Sequence, residues 1–448
     1  MQPFFTTHFI AFALLFISSF FRFNIVKAQD LYFPPLIETA ENNWETLPAS
    51  ELEWCDERID SLYTFLDEKN TKGFIVLKDG KIVLEKYFGT FTQDSAWYWA
   101  SAGKSMVATL IGIAQRSSLL DINKKTSTYL GEGWTSLTKE QEDKITIRHQ
   151  LTMTTGLKEA DNTGIDNCLT PSCLTYGSEP DTRWYYYNSP YRLLQNVLDS
   201  ATKKPINQYF AERITRKTGI TGSFFNYVLF SKPRSMARFG LLILNKGKWV
   251  NDPVLNDAMY FEQMTNTSQL LNPAYGYLWW LNGKDKFKIP ASDQVFEGSL
   301  IPNAPSDMIA ALGANDQKIY VVPSQNLVVV RVGNSAENDR LNAVSSFDNE
   351  LWGKISQLSC DSPILANEEE GEQSMTVFPN PSNENYFLKI PNGRYDVAIR
   401  DSLGKIIYKA QITHSVRIAA NKWKKGMYFV EITPIGTKTT TYLKIIRD

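Results

Sequence analysis

The stretch Trp97-Tyr98-Trp99-Ala100-Ser101-Ala102-Gly103-Lys104-Ser105-Met106-Val107-Ala108-Thr109-Leu110-Ile111-Gly112-Ile113-Ala114 sets a serine and a lysine three residues apart at the mouth of an apolar run. On a helix that spacing puts both side chains on one face, a turn apart. Histidine is scarce: His8 lies in a candidate leader, His414 in a candidate tail, and His149 between them. A serine nucleophile therefore calls for a base other than imidazole. A lysine qualifies once burial and neighbouring charge lower its pKa. The same serine also reads as a helix cap.

The S-x-x-K spacing recurs at Ser136–Lys139, Ser200–Lys203 and Ser402–Lys405, and context separates the four. Ser136 lies in a polar stretch, Ser200 ends a helix that runs toward Pro205, and Ser402 sits in a turn-like Asp401-Ser402-Leu403-Gly404. Only Ser101 precedes a long apolar run, Met106 to Ala114. At a helix N-terminus the free N–H groups favour negative charge developing beside it.

Two further stretches carry chemistry. Trp184-Tyr185-Tyr186-Tyr187-Asn188 holds Tyr186-x-Asn188 and leads into an amphipathic helix. A phenol beside a cation carries protons, and an amide orients a lysine or a carbonyl. Three consecutive tyrosines also read as a packed aromatic patch. Further on, Met308–Ala314, Gln317–Pro323 and Leu327–Gly333 read as strands joined by short turns. Gly313 at a strand edge lets a ligand approach the backbone; the alternative is a plain sheet edge with a small-residue bend.

Ser101-x-x-Lys104, Tyr186-x-Asn188 and Ala311-Leu312-Gly313 follow the order of the three motifs of serine β-lactamase-like hydrolases, which the chain resembles over residues 48–358. That group includes class C β-lactamases, D-alanyl-D-alanine carboxypeptidases, esterases and 6-aminohexanoate-dimer hydrolases. Ile145–Leu157, Met236–Leu242 and Tyr275–Trp280 are similar to the group as well. Class A enzymes carry S-D-N and K-T-G where this chain has Tyr186-x-Asn188 and Ala311-Leu312-Gly313.

The resemblance implies an α/β (α+β) fold of the β-lactamase/transpeptidase type. An antiparallel sheet carries flanking helices, with a helical domain inserted and the site between the parts. Glu51–Leu66 is expected as the first helix, Gly73–Gly89 as a hairpin around Asp79-Gly80, and Leu341–Leu358 as the last helix. It also implies roles. Ser101 attacks a carbonyl, Lys104 and Tyr186 relay its proton, and Asn188 orients Lys104 or the substrate. The N–H groups of Ser101 and Ala314 form the oxyanion hole, and Ala311, Leu312 and Gly313 line the substrate.

Two departures bear on substrate. Ala311 stands where the group often has lysine or histidine, and Leu151-Thr152-Met153-Thr154-Thr155-Gly156 stands where it often has L-T-H-T-S-G. The first removes a cation that grips a substrate carboxylate and favours neutral esters or amides. A cell-wall enzyme, either a β-lactamase or a D-alanyl-D-alanine carboxypeptidase, stays open, as does a catalytically silent binding protein of the same fold.

Composition agrees with a large enzyme domain. The 448 residues are 43% hydrophobic and carry a net charge of −1, so nothing electrostatic recommends nucleic acid as a partner. No phosphate-binding loop, dinucleotide fingerprint or zinc-spaced Cys/His cluster is present, and neither a cofactor nor a metal is expected. The expected partner is a small ester or amide substrate.

Phe9–Phe21 is an apolar run of 13 residues, and Val26-Lys27-Ala28 offers small residues for cleavage before Gln29. Residues 1–28 read as a signal peptide, since the run is short of the ~20 residues of a membrane span. The enzyme domain is expected over 29–362, and an acidic linker over 363–374 around Glu368–Glu372. Residues 375–448 read as a small β-sandwich. Pro379-Asn380-Pro381, the turn Asp401–Lys405 and the strand Gly426–Val430 make it similar to the C-terminal sorting domain of the type IX (Por) secretion system of Bacteroidota. That implies passage through the periplasm to the medium or cell surface of a Gram-negative bacterium, with the secretion machinery as partner. An adhesion module is the alternative. Four cysteines bound for an oxidising destination imply two bridges. Cys168–Cys173 closes a short loop, and Cys55–Cys360 joins the first and last helices, which the resemblance places side by side.

Overall fold

A computed structural model describes residues 31–159, 168–290, 292–336, 344–360 and most of 375–447 (excepting 379–381, 383, 391–392, 402–403 and 438–439). The expected leader and acidic linker, and Pro379-Asn380-Pro381, lie outside the described residues. The chain divides into two compact units, residues 1–49 with 61–352 and residues 50–60 with 353–448.

The first unit is built on a six-stranded antiparallel sheet. Strands β1 (Thr71–Lys78) and β2 (Lys81–Tyr87) form the expected hairpin. Asp79 and Gly80 turn it with φ of 50° and 85°, the positive pair that a two-residue turn of this hand needs. Further along come the short strand β3 (Trp97–Tyr98), helix α2 (Gly103–Arg116; α1 is Asp56–Glu68) and helix α3 (Asn188–Thr202). Next are strands β4 (Ser223–Phe225) and β5 (Val228–Ser231), helices α4 (Pro233–Leu244) and α5 (Ala258–Thr265), and strand β6 (Trp280–Leu281). The chain then returns through β7 (Ile309–Gly313), β8 (Gln317–Val322), β9 (Leu327–Gly333) and helix α6 (Ser346–Ile355). The order across the sheet is β6-β7-β8-β9-β1-β2, so the early hairpin docks on the late strands, with Ile75 opposite Val330.

Why the strands are apolar on both faces follows from what covers them. Phe74–Leu77, Ile319–Val322 and Val328–Val330 are fully buried. On one face α4 lies flat: a Cβ on Gly240 would sit 2.4 Å from Val328 Cγ1 and 3.3 Å from Ile319 Cγ2, so only glycine admits that approach. Lys318, Tyr320 and Arg331 alternate out of step with Ile319 and Val328, on the opposite face. There Tyr320 stacks edge-on against Trp352 of α6 at 5.5 Å, and Phe65 of α1 stacks on Phe347 at 5.7 Å.

The sequence expectations shift in detail. The first helix begins at Asp56, after a 3-10 turn at Ala49–Leu52, and the last described helical turn starts at Ser346, later than Leu341. The part expected as an inserted helical domain also carries small strand patches, among them the pair β4-β5, which β3 extends to three strands.

In the second unit, Cys55 and Cys360 are bridged, and the backbones on either side pair: Cys55 N–H donates to Leu358 O at 2.9 Å and Cys360 N–H to Glu53 O at 2.7 Å. Cys168–Cys173 is bridged in the first unit. The tail has strands β10 (Thr376–Phe378), β11 (Asn385–Lys389), β12 (Tyr395–Asp401), β13 (Ile406–Ile412), β14 (Val416–Ala419), β15 (Gly426–Pro434) and β16 (Thr441–Arg447). They make two antiparallel sheets, β10-β11-β14 and β13-β12-β15-β16. Tyr386, Leu388 and Ile418 of one sheet share a core with Val397, Ile399, Val430 and Ile432 of the other. Alternating buried and exposed residues along β12 and β15 are the two-sheet signature.

Helix α2 packs against α5 through Gly112, where an added Cβ would lie 2.4 Å from Tyr260 Cε1 and 2.8 Å from Leu255 Cδ1. The Tyr260 hydroxyl donates to Ala108 O at 2.7 Å, which pins the ring. Gly112→Ala is expected to lose about 1–3 kcal/mol through overpacking, against a helix-propensity gain of about 1 kcal/mol. Urea unfolding reads the balance; a higher midpoint in the variant would mean that the Tyr260 ring yields.

Candidate active site

Ser101 does not cap α2 with its side chain. It sits in a 3-10 turn, Ala100–Ala102, that runs straight into the helix, and neither start has a side-chain cap. Ala100 ahead of it takes φ +47°, a backbone state that L-residues adopt at a cost. The hydroxyl instead accepts from Lys104 Nζ at 2.9 Å. Lys104 is 3% exposed and also donates to Asn188 Oδ1 at 2.5 Å. Asn188 opens α3, so two helix starts, 84 residues apart in sequence, meet on one ammonium group.

Tyr186 reaches the same place by its ring. The Lys104 Nζ lies 4.8 Å from its centroid and 4.3 Å from that of Tyr191. Tyr186 is also core: it stacks on Trp280 at 5.9 Å and meets Tyr275 edge-on at 6.3 Å. The aromatic-patch and active-site readings of this motif thus describe one set of rings. Tyr187 turns away, its hydroxyl donating to Cys173 O at 2.9 Å.

Gly313 brings the third motif in. A Cβ there would lie 2.4 Å from Trp99 O, 3.0 Å from Ala102 N and 3.1 Å from Ser101 N. On β7, strand β6 pairs with Ala310 and Ile309 and stops short of Gly313, so the end of β7 is left for the Ser101 turn. Ala311 and Leu312 are buried in the strand. Ala314 begins a turn in which Asn315 and Asp316 both have positive φ, 56° and 59°. That turn is braced: Arg331 Nη1 donates to Asn315 O at 3.1 Å and Asp316 O at 3.0 Å, and Asn315 Nδ2 donates to Tyr98 Oη at 2.8 Å.

Among the described residues, the two cations behind the third motif, Arg331 and Lys318, are both buried and engaged. Arg331 is fully buried and further bonded to Thr71, Lys69 and Asn334; burial pulls its guanidinium down to about 10 against the pull of Asp316. Lys318 is bound by Asp316 at 3.2 Å and Asp348 at 2.9 Å. Burial opposes the Asp316 carboxylate, but Lys318, the Ser345 hydroxyl, the Ala336 N–H and Arg331 hold it below the usual range.

His149 is engaged elsewhere. Its Nδ1 accepts from Thr146 N–H and its Nε2 pairs with Asp181 Oδ2, both at 3.1 Å; burial lowers its pKa. Ser136 donates to Leu174 O at 3.0 Å, while Lys139 pairs with Glu132 and Asp143. Sequence reading missed Tyr98, Tyr191, Asn315 and Arg331. Only Arg331 advertised itself, as a lone charge inside the apolar run Leu327–Val332.

Residues 69–346 match the Beta-lactamase family model. The chain belongs to the β-lactamase family. Residues 376–447 match the secretion system C-terminal sorting domain. The fold is shared with a Bacillus anthracis protein assigned as a 6-aminohexanoate-dimer hydrolase (TM-score 0.55, 18% identity, covering 73% of this chain and 89% of that one). It is shared with a Bacteroides dorei protein assigned as a β-lactamase (TM-score 0.54, 17% identity, 68% and 99% covered). A β-lactamase/D-alanine carboxypeptidase of Pseudomonas syringae is similar too (TM-score 0.51, 14% identity, 69% and 99% covered). These identities speak for the fold alone. No curated protein matches the chain. Among the described residues of this β-lactamase-family protein no helix is long and apolar enough to cross a membrane.

Gly313→Ala must push β7 away from the Ser101 turn, because its new methyl meets backbone on the other side. We expect a fall in kcat of about 10²–10³, the loss typical of one oxyanion donor, with the far-UV spectrum unchanged. Steady-state kinetics on any turned-over ester checks this; full kcat in the folded variant would show that the strand edge has no part in the reaction.

Proposed function

We propose that the chain is an exported serine hydrolase that cleaves neutral esters or amides through an acyl-Ser101 intermediate. The observation that carries this reading is the buried Lys104 bonded at once to Ser101 Oγ and Asn188 Oδ1. Ser101 Oγ attacks the carbonyl carbon, and its proton passes to the Lys104–Tyr186 pair, which titrates as a unit. The N–H groups of Ser101 and Ala314 take the charge that develops on the carbonyl oxygen. The proton then goes to the departing alcohol or amine, and water repeats the sequence to release the acid. Ala311, Leu312 and Gly313 offer the substrate a strand edge. A neutral substrate is favoured because Ala311 brings no charge, Lys318 behind it is paired with Asp316 and Asp348, and Arg331 is spent on backbone carbonyls.

Our reading of the ends is export: residues 1–28 a signal peptide, 29–362 the hydrolase, 363–374 a linker, and 375–448 a sorting tail handled by the type IX machinery. The match of residues 376–447 to the sorting-domain family supports the last of these.

A fluorophosphonate probe should label the wild type at Ser101 and leave Ser101→Ala unlabelled yet folded, and Lys104→Ala should lose on the order of 10⁴–10⁶ in activity. In the same panel, short nitrophenyl esters should exceed a penicillin or cephalosporin by roughly tenfold or more in kcat/KM, the worth of one charge-assisted bond. Efficient β-lactam turnover would instead select the cell-wall reading, and absence of any labelling the silent one.

All five proposed catalytic residues fall within residues 61–352. A chain ending at residue 366 should therefore keep the full kcat/KM in vitro, yet stay in the periplasm of the native host. Intact mass of the exported protein decides the tail: a species that still ends at Asp448 is evidence for an adhesion module over a sorting signal.

A further inference from the structure

Lys104 occupies a slot with two aromatic walls. One is Tyr186, wedged by Trp280 and Tyr275. The other is Tyr191, three residues after Asn188 on α3, so that one helical turn presents both an amide and a ring to the same ammonium. At 4.3 Å the Tyr191 centroid is nearer to Nζ than that of Tyr186, at 4.8 Å, and both are inside the ~6 Å over which a ring face attracts a cation.

Two forces then compete at Nζ. Burial disfavours the charged amine, whereas ring faces favour it. The titratable groups around it are Tyr186 from the segment before α3, Tyr191 from α3, and Tyr275 against both, with Arg192 beside Tyr191. Burial pushes the Tyr191 phenol far above its ordinary value, so it keeps its proton, stays neutral and relays none at working pH. What Tyr191 offers is its ring.

We propose that Tyr191 is a positioning residue: its ring face holds the Lys104 ammonium within reach of Ser101 and Asn188 and sets the pH below which Ser101 stays unreactive. This rests on reading Ser101 and Lys104 as nucleophile and base. The electron density of the ring, and neither its hydroxyl nor its bulk, is the property that matters.

The test keeps the shape and drains the ring. Tyr191 is replaced by phenylalanine and then by its mono-, di- and trifluorinated analogues in the full chain. Two readouts follow: the Lys104 titration by NMR of ε-carbon-labelled lysine (the signal lost in Lys104→Met), and the acid limb of probe acylation at Ser101. Phenylalanine should match the wild type. Each fluorine should then lower the Lys104 midpoint, by roughly 0.4–1.5 pH units across the series, and the acid limb should follow. A midpoint unchanged along the series, or a shift complete at phenylalanine, overturns the role of the ring. A midpoint that falls while the acid limb stays put supports the ring contact and overturns Lys104 as the base. The near-isosteric series keeps the packing, so loss of fold does not cloud the result.

Discussion

The hydrogen bonds of Lys104 to Ser101 Oγ and Asn188 Oδ1 join two helix starts that lie 84 residues apart in sequence. A buried ammonium is costly unless its donors are used. That cost makes the arrangement stringent. The Ser101 turn, the first turn of α2 and the first turn of α3 have to arrive together, with the rings of Tyr186 and Tyr191 filling the remaining walls. The large apolar body of the first unit holds those helix starts in place: Met106–Leu110 of α2 is fully buried or nearly so.

Behind the third motif lies a second polar island of a different kind. Arg331, Lys318, Asp316, Asp348 and Tyr320 are all nearly inaccessible and bond one another or nearby backbone. Removing one partner from such a group leaves an uncompensated charge, typically a loss of several kcal/mol. Its product is local: it braces a turn with two consecutive positive-φ residues, Asn315 and Asp316, directly after Ala314. The strain of that turn sits beside Ser101, and the bonds from Arg331 and from Asn315 to Tyr98 maintain it. Stored strain of this sort clusters at sites that need preset geometry.

The tail follows simpler rules. Its strands alternate buried and exposed side chains, and its core is drawn from its own two sheets. The disulfide from Cys55 to Cys360 closes a loop of 305 residues in sequence, and in the chain-entropy account long loops gain most from closure. Both bridges agree with a protein that folds where thiols are oxidised.

Much of this was legible in the sequence because it is written locally. The Asp79-Gly80 turn, the apolar strands, the amphipathic start at Asn188 and the alternation in the tail follow from side-chain period and backbone preference. So does the pairing of Ser101 with Lys104, since one helical turn guarantees it. Other features depend on atoms far apart in the chain. That Lys104 also meets Asn188, 84 residues on, was decided by how two helices pack. Tyr191 looked like any aromatic on a buried helix face until the fold set its ring against Lys104. Gly313 needs no positive φ; it is required because Trp99 O lies 2.4 Å from where a Cβ would be, a distance that no local rule contains. The residue types and their order were determined by the sequence alone. Which of them touch was decided only by close packing of distant segments, because contact distances in a dense core depend on every neighbour at once.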